Sequence, residues 1–188
     1  ALNRGTSVYL TDRVIPMLPR VLCNGICSLN PEEDRLTLSC VMDIDASGKI
    51  LNHEICESVI RSDKRMSYSG VHAILTNTEL TNDEDIASYL PYKPLLERMY
   101  ELSQLLRKRR YERGGIDFDF PETKIILDAQ GHVTDIHPYE RNEAHMLIED
   151  FMLAANETVA EDFFWQQVPF VFRVHEKPDA EKFQQLAL

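Results

Sequence analysis

Helical spacing runs unbroken through residues 94–113 and ends at Gly114-Gly115. Leu95, Leu96, Met99, Leu102, Leu105 and Leu106 recur three and four apart, so they share one face of a helix of about five turns. The two glycines then withdraw the helical preference, as a helix C-terminus requires. Directly after them the period changes to two. In Ile116-Asp117-Phe118-Asp119-Phe120 acids alternate with apolar side chains, so Phe118 and Phe120 share one face of a strand and the acids the other. A chain that switches period this sharply folds as mixed α+β.

The other segments fit that architecture. Leu18, Val21, Leu22, Ile26 and Leu29 predict a short helix within residues 16–29. Residues 35–45 and 49–61 read as a β-hairpin turned at Ala46-Ser47-Gly48, and residues 68–75 as a modest helix. The polar, acidic run 76–88 reads as an exposed excursion. Residues 124–127 and 133–137 are expected strands joined by Asp128-Ala129-Gln130-Gly131. The longest helix spans residues 141–165, apolar along Ala144, Ile148, Phe151, Met152, Ala155 and Val159. Residues 170–174 alternate as a strand, and Pro178 opens a last helix. The expectation is one domain over residues 1–188, a mixed and largely antiparallel sheet packed with long helices.

Charge bears on partners. Lys and Arg number 20 against 31 Asp and Glu, a formal net charge of −11. That balance argues against a freestanding nucleic-acid binder, because phosphates are neutralised by Lys and Arg. No apolar run reaches the length of a membrane span, and no signal peptide is visible. Cys23, Cys27, Cys40 and Cys56 lack zinc-ribbon spacing and read as reduced, mostly buried thiols in a cytoplasmic setting. The oligomeric state is left open.

The chain begins inside a motif and without an initiator Met, so it reads as an internal piece of something longer. Arg4-Gly5-Thr6-Ser7-Val8-Tyr9-Leu10-Thr11-Asp12-Arg13-Val14-Ile15-Pro16-Met17-Leu18-Pro19 leads to Leu22-Cys23-Asn24-Gly25-Ile26-Cys27-Ser28-Leu29. Ser67-Tyr68 follows, then Arg113-Gly114-Gly115-Ile116-Asp117-Phe118. Arg141-Asn142-Glu143-Ala144-His145 precedes Leu147-Ile148-Glu149-Asp150-Phe151-Met152-Leu153-Ala154-Ala155-Asn156. In this order the blocks resemble the catalytic (RNB) domain of the ribonuclease II and ribonuclease R family of processive exoribonucleases, the ribonuclease R branch above all. The resemblance implies 3′-to-5′ hydrolysis of single-stranded RNA to nucleoside 5′-monophosphates, with Mg²⁺ held by clustered aspartates. The family's aspartate signature, D-x-x-D-A-x-D-F-D-D, does not occur in this sequence, and its arginine-rich segment would follow the last block. The expected picture is therefore a partial catalytic domain, inactive alone and binding no metal. The competing expectation is a non-catalytic RNA-binding or scaffold relative.

The same resemblance assigns roles. Tyr9 and Phe118 would stack on RNA bases, a sequence-tolerant grip because every base has a π-face. Tyr68 and Glu149 would read the ribose 2′-hydroxyl, which donates and accepts as a phenol and a carboxylate together require. Phosphate contacts fall to Arg4, Arg13 and Arg141. Read from the residues alone, Tyr9 and the phenylalanines pack in a core and Glu149 is a solvated helix acid. The basic run Arg107-Lys108-Arg109-Arg110-Tyr111-Glu112-Arg113 is first a set of cations favoured by a helix C-terminus, and second a phosphate contact. Cys23 with Cys27, His145 with Glu149, Asp43 with Asp45 and Asp117 with Asp119 are spaced as metal pairs, but helix edges and wet strand faces account for them more cheaply.

Overall fold

A computed structural model describes residues 5–78, 84–116, 123–139 and 141–174, with positions 179, 182 and 184. Two short strands, β1 (Val8–Tyr9) and β2 (Val14–Ile15), pair antiparallel. Residues Val21–Ile26 then form a wide π-helix, in which the Cys27 N–H reaches back to the Leu22 carbonyl at 2.9 Å. The apolar turn expected there buries nothing: Val21 and Ile26 are both 68% exposed. The cysteines also sit further out than their residue type suggests, with Cys27 exposed and the other three half-buried.

The long hairpin pairs β3 (Asp34–Ile44) with β4 (Ile50–Arg61). Its turn is built by one carboxylate. Asp45 Oδ1 accepts from the Ser47 N–H at 2.8 Å and the Lys49 N–H at 2.9 Å, while Gly48 takes φ +77°. The second hairpin, β5 (Thr123–Leu127) with β6 (Val133–Pro138), repeats the device. There Asp128 Oδ1 accepts from Gln130 and His132, both at 2.9 Å, and Gly131 takes φ +87°. A short polar acceptor closing the turn and a glycine in the left-handed region are what each tight connection needs. The described strands form three two-stranded antiparallel ladders, with one parallel bridge between Pro31 and Ser62.

Helices carry the core. They are α1 (Tyr68–Thr76), α2 (Glu84–Ala87), α3 (Lys93–Glu112) and α4 (Glu143–Gln166), with a 3₁₀ turn at Leu90–Tyr92. Ile74, Tyr89 and Leu96 are buried together, lined by Met66, Val71, Leu75, Ile86, Tyr92 and Met99. Both long helices end near the expected residues, but their inward faces differ from the apolar stripes. On α3, Leu95 is exposed, whereas Ser103 is 0% exposed. On α4 the buried line is Ala144, Leu147, Asp150, Ala154 and Thr158, while Ile148 and Met152 are exposed. Small and polar residues at the contact let the two helices approach closely, so the stripe of large apolar residues points beside the true interface.

The turn end of the hairpin leans on this pair. A Cβ on Gly48 would lie 3.2 Å from the Leu105 backbone, the Thr158 hydroxyl meets the Met42 sulfur at 3.4 Å, and His53 Nε2 lies 3.1 Å from Asp162. Residues 170–174 make no ladder among the described residues. Phe170 instead stacks on Phe163 with centroids 4.7 Å apart. The expected strand 116–120 and the helix expected from Pro178 lie outside the described residues, apart from Ile116 and the isolated positions 179, 182 and 184.

Candidate nucleic-acid interface

Ser67 caps α1 by accepting the Gly70 N–H at 3.1 Å, which places Tyr68 at the first helical position. Asn142 caps α4: its Oδ1 accepts from the Ala144 N–H at 3.1 Å and the His145 N–H at 3.3 Å. The two helix starts meet side by side. The Tyr68 ring stacks on His145 with centroids 4.0 Å apart and planes inclined by 20°. His145 is itself tied down on both nitrogens. Nδ1 lies 2.8 Å from Asn142 Oδ1, and Nε2 lies 2.9 Å from the Tyr139 hydroxyl. The Asn142 N–H also points at Nδ1, at 3.4 Å, but the shorter contact to a carbonyl oxygen dominates. We therefore assign the proton to Nδ1, leaving Nε2 to accept from Tyr139. Burial, then the charges of Arg141 and His72, holds the imidazole below its usual range.

Glu149 stands one turn further along the same helix, within the i, i+4 neighbourhood of His145. Its Oε2 accepts from Arg141 at 2.7 Å and its Oε1 from Arg110 at 3.2 Å. Partial burial raises its carboxyl, but the hydrogen bonds and charges of Arg141 and Arg110 outweigh that and hold it below the usual carboxylate range. It is therefore an ionised acceptor at neutral pH. Beside it Asp150 is 3% exposed and fully engaged. Asp150 Oδ2 accepts from Ser103 Oγ at 2.8 Å, Arg107 Nε at 3.1 Å and Arg107 Nη2 at 2.6 Å, and Arg110 stands 3.7 Å from Oδ1. Arg113 adds a two-pronged pair with Glu157 at 3.0 Å. Arg107, Arg110 and Arg113 of the basic run are thus struts to α4, while Arg109 and Arg110 also fill the last turn of α3, where its C-terminal dipole favours cations, and Lys108 stays exposed.

The structure sets Tyr68 against His145, with Glu149 one turn along the same helix and Arg141 bonded to that carboxylate. Below them runs a groove of ≈ 430 Å³ lined by Tyr68, Val71, Leu96, Met99, Leu147 and Ile148. Tyr9 and Arg13 sit on the β1–β2 hairpin. Tyr9 is 79% exposed, Arg13 lies 3.6 Å from Asp12, and no described hydrogen bond or ring contact links Tyr9 to the Tyr68 face. Phe118 and Arg4 lie outside the described residues. Sequence reasoning missed Tyr139, took Arg110 only as part of the basic run, and weighed His145 as a metal ligand against a polar helix edge. The available signal was Asn142 three residues before a hydrogen-bonding side chain, a capping-box spacing.

Among the described residues no group of three His, Cys, Asp or Glu side chains is placed to hold a metal ion. No helix is long and apolar enough to cross a membrane.

Comparison with known proteins fits this architecture. A family model described as the RNB domain matches residues 1–188. Ribonuclease R of Thermotoga maritima is 49% identical over 187 residues, covering 99% of this chain and 26% of that protein. Ribonuclease R of Escherichia coli is 42% identical over 182 residues, covering 96% of this chain and 22% of that protein. Mycoplasma genitalium RNase R, solved in complex with ribose methylated single-stranded RNA, matches with a TM-score of 0.83 and 34% identity over 97% of this chain and 28% of its own. The chain thus spans about a quarter of the length of the curated relatives it matches. Sequence, fold and end-to-end coverage agree, and the chain belongs to the RNB domain family.

Proposed function

We propose that these residues form one wall of the RNA channel of a processive 3′-to-5′ exoribonuclease, which hydrolyses single-stranded RNA to nucleoside 5′-monophosphates in the cytoplasm. The observation that carries the reading is the Tyr68 ring stacked on His145, with an ionised Glu149 one turn further along the same helix. A phenol donates and accepts, and a carboxylate accepts. Together they suit a 2′-hydroxyl, the group that separates RNA from DNA. Tyr9, Phe118 and the arginines Arg4, Arg13 and Arg141 enter the same reading as base-stacking and phosphate-contacting residues, with Tyr9's exposure in its support. The RNA held by a relative of the same fold supports it further.

Mg²⁺ belongs to the reading of the longer enzyme. Its role there is to activate water and stabilise the leaving oxygen. Its ligands would come from clustered aspartates, and no such group stands among the described residues.

The test uses the longer protein that carries this segment, supplied with Mg²⁺ and a single-stranded oligoribonucleotide. Stepwise shortening from the 3′ end with release of nucleoside 5′-monophosphates is expected, and equal handling of RNA and DNA would defeat the proposal. The 188-residue chain alone is expected to leave the oligonucleotide intact.

A further inference from the structure

We infer that His145 is a positioning residue for Tyr68, setting the plane of the phenol and thereby the preference for RNA over DNA without touching the nucleic acid. The inference rests on the ribose-reading role proposed above for Tyr68 and Glu149.

Tyr68 sits at the outer end of α1. It is 46% exposed, and its hydroxyl has no hydrogen-bond partner among the described residues. A tyrosine tethered only through its backbone samples several staggered χ1 wells, so one packed face is needed to select among them. His145 supplies that face at 4.0 Å and near-parallel. The imidazole cannot turn away, because the Asn142 cap holds Nδ1 and the Tyr139 hydroxyl holds Nε2. Tyr139 also meets it edge-on, with centroids 5.4 Å apart. The ring is thus fixed by contacts on both nitrogens and on its flank.

Position on the helix gives this arrangement its use. His145 precedes Glu149 by four residues, and such residues are neighbours on one helix face. The platform for the phenol and the carboxylate are therefore parts of one rigid element. Their separation is set by the helical rise, independently of how α1 moves. A phenol that tilts off this platform would still stack on a sugar or a base, but would lose its alignment on the 2′-hydroxyl. Discrimination should fall while general binding persists.

The test is the ratio of Kd values for an oligodeoxyribonucleotide and an oligoribonucleotide of the same sequence, measured with the longer protein and its Y68F, E149Q, H145N and H145F forms. Asparagine at position 145 preserves polar contact with the cap and removes the stack; phenylalanine preserves the stack and removes the polar contacts. H145N is expected to lower the ratio about three- to tenfold, the range a ring pair accounts for, and H145F to keep most of it. Both ligands are read on one sample, so any unfolded fraction cancels from the ratio. A ratio that responds to Y68F and E149Q but not to H145N overturns the positioning role alone. An H145F ratio as low as that of H145N overturns it too, because a retained stack would have failed to act. A wild-type ratio near one overturns the ribose-reading role, and the inference with it.

Discussion

At the scale of single residues, the fold depends most on Asp150. Its carboxylate is buried between α3 and α4 and takes hydrogen bonds from Ser103 and two nitrogens of Arg107. Taking away one partner of a buried pair leaves the other desolvated and uncompensated, a loss of about 3–5 kcal/mol. Asp150→Ala should cost that much in urea unfolding, and Ser103→Ala about 1–2 kcal/mol, since Arg107 keeps its charge partner. The double change Arg107→Met with Asp150→Leu should recover most of the loss, because no buried charge remains. If the double variant were as unstable as Asp150→Ala, packing rather than charge would be what Asp150 provides. His145 gives the pH dependence. Burial and the charges of Arg141 and His72 lower its pKa in the folded state from an ordinary value of 6.5. The unfolded chain therefore binds the proton first, so His145 contributes its full stability above about pH 6.5 and loses it as pH falls toward the lower folded value. The thermal midpoint of the wild type should drop more steeply below pH 6.5 than that of H145F, and parallel profiles would contradict this.

At the scale of elements, the two hairpin turns form an internal control. Both place a glycine at positive φ, where any other residue costs about 1–2 kcal/mol. Around Gly131 nothing lies within 4 Å of an added Cβ, whereas at Gly48 the Leu105 carbonyl carbon and oxygen lie at 3.2 Å. Gly48→Ala should therefore destabilise more than Gly131→Ala, by about 1 kcal/mol or more, since backbone cannot retreat as a side chain can. Equal losses would mean that the long hairpin does not lean on α3. These hairpins, like the ends of α3 and α4, were legible in the sequence because turn chemistry, caps and apolar period are local signals. The inward faces of the helices were less so. Apolar spacing directed attention to Ile148 and Met152, while the structure buries Asp150, satisfied by partners on α3, and Thr158, whose hydroxyl donates to the Ala154 carbonyl one turn back. Alternation at residues 170–174 reads as a strand, yet a strand requires a neighbour, which sequence period does not supply. In the candidate site, Tyr68 and Glu149 were reached through family resemblance. The role of His145 lay in contacts to Tyr68 and Tyr139, one of them 77 residues away along the chain.

At the scale of the whole molecule, charge sets the manner in which RNA can be held. The net charge is −11, and four arginines are committed to acids of α4. Arg107, Arg110 and Arg113 brace α3 against α4, and Arg141 bonds Glu149. Were Arg107 and Arg110 released to phosphates, Asp150 would be left buried without its charge partners, so RNA should not recruit those two. On the proposed reading, phosphate contacts fall to three arginines, Arg4, Arg13 and Arg141, and exposed cations such as Lys108 take no part. The remaining grip comes from stacking and ribose contacts, which release few counterions. For single strands the logarithm of the binding constant falls with the logarithm of salt concentration by about 0.7 per phosphate contact, so three contacts correspond to a slope near −2. Fluorescence anisotropy of a labelled single-stranded oligoribonucleotide with this chain, titrated across KCl, should give a slope no steeper than about −2. A slope of roughly −4 or beyond would require twice as many phosphate contacts. Cations beyond the proposed three, exposed Lys108 or the arginines of α3 among them, would then have to meet phosphate, and the three-arginine reading would fail.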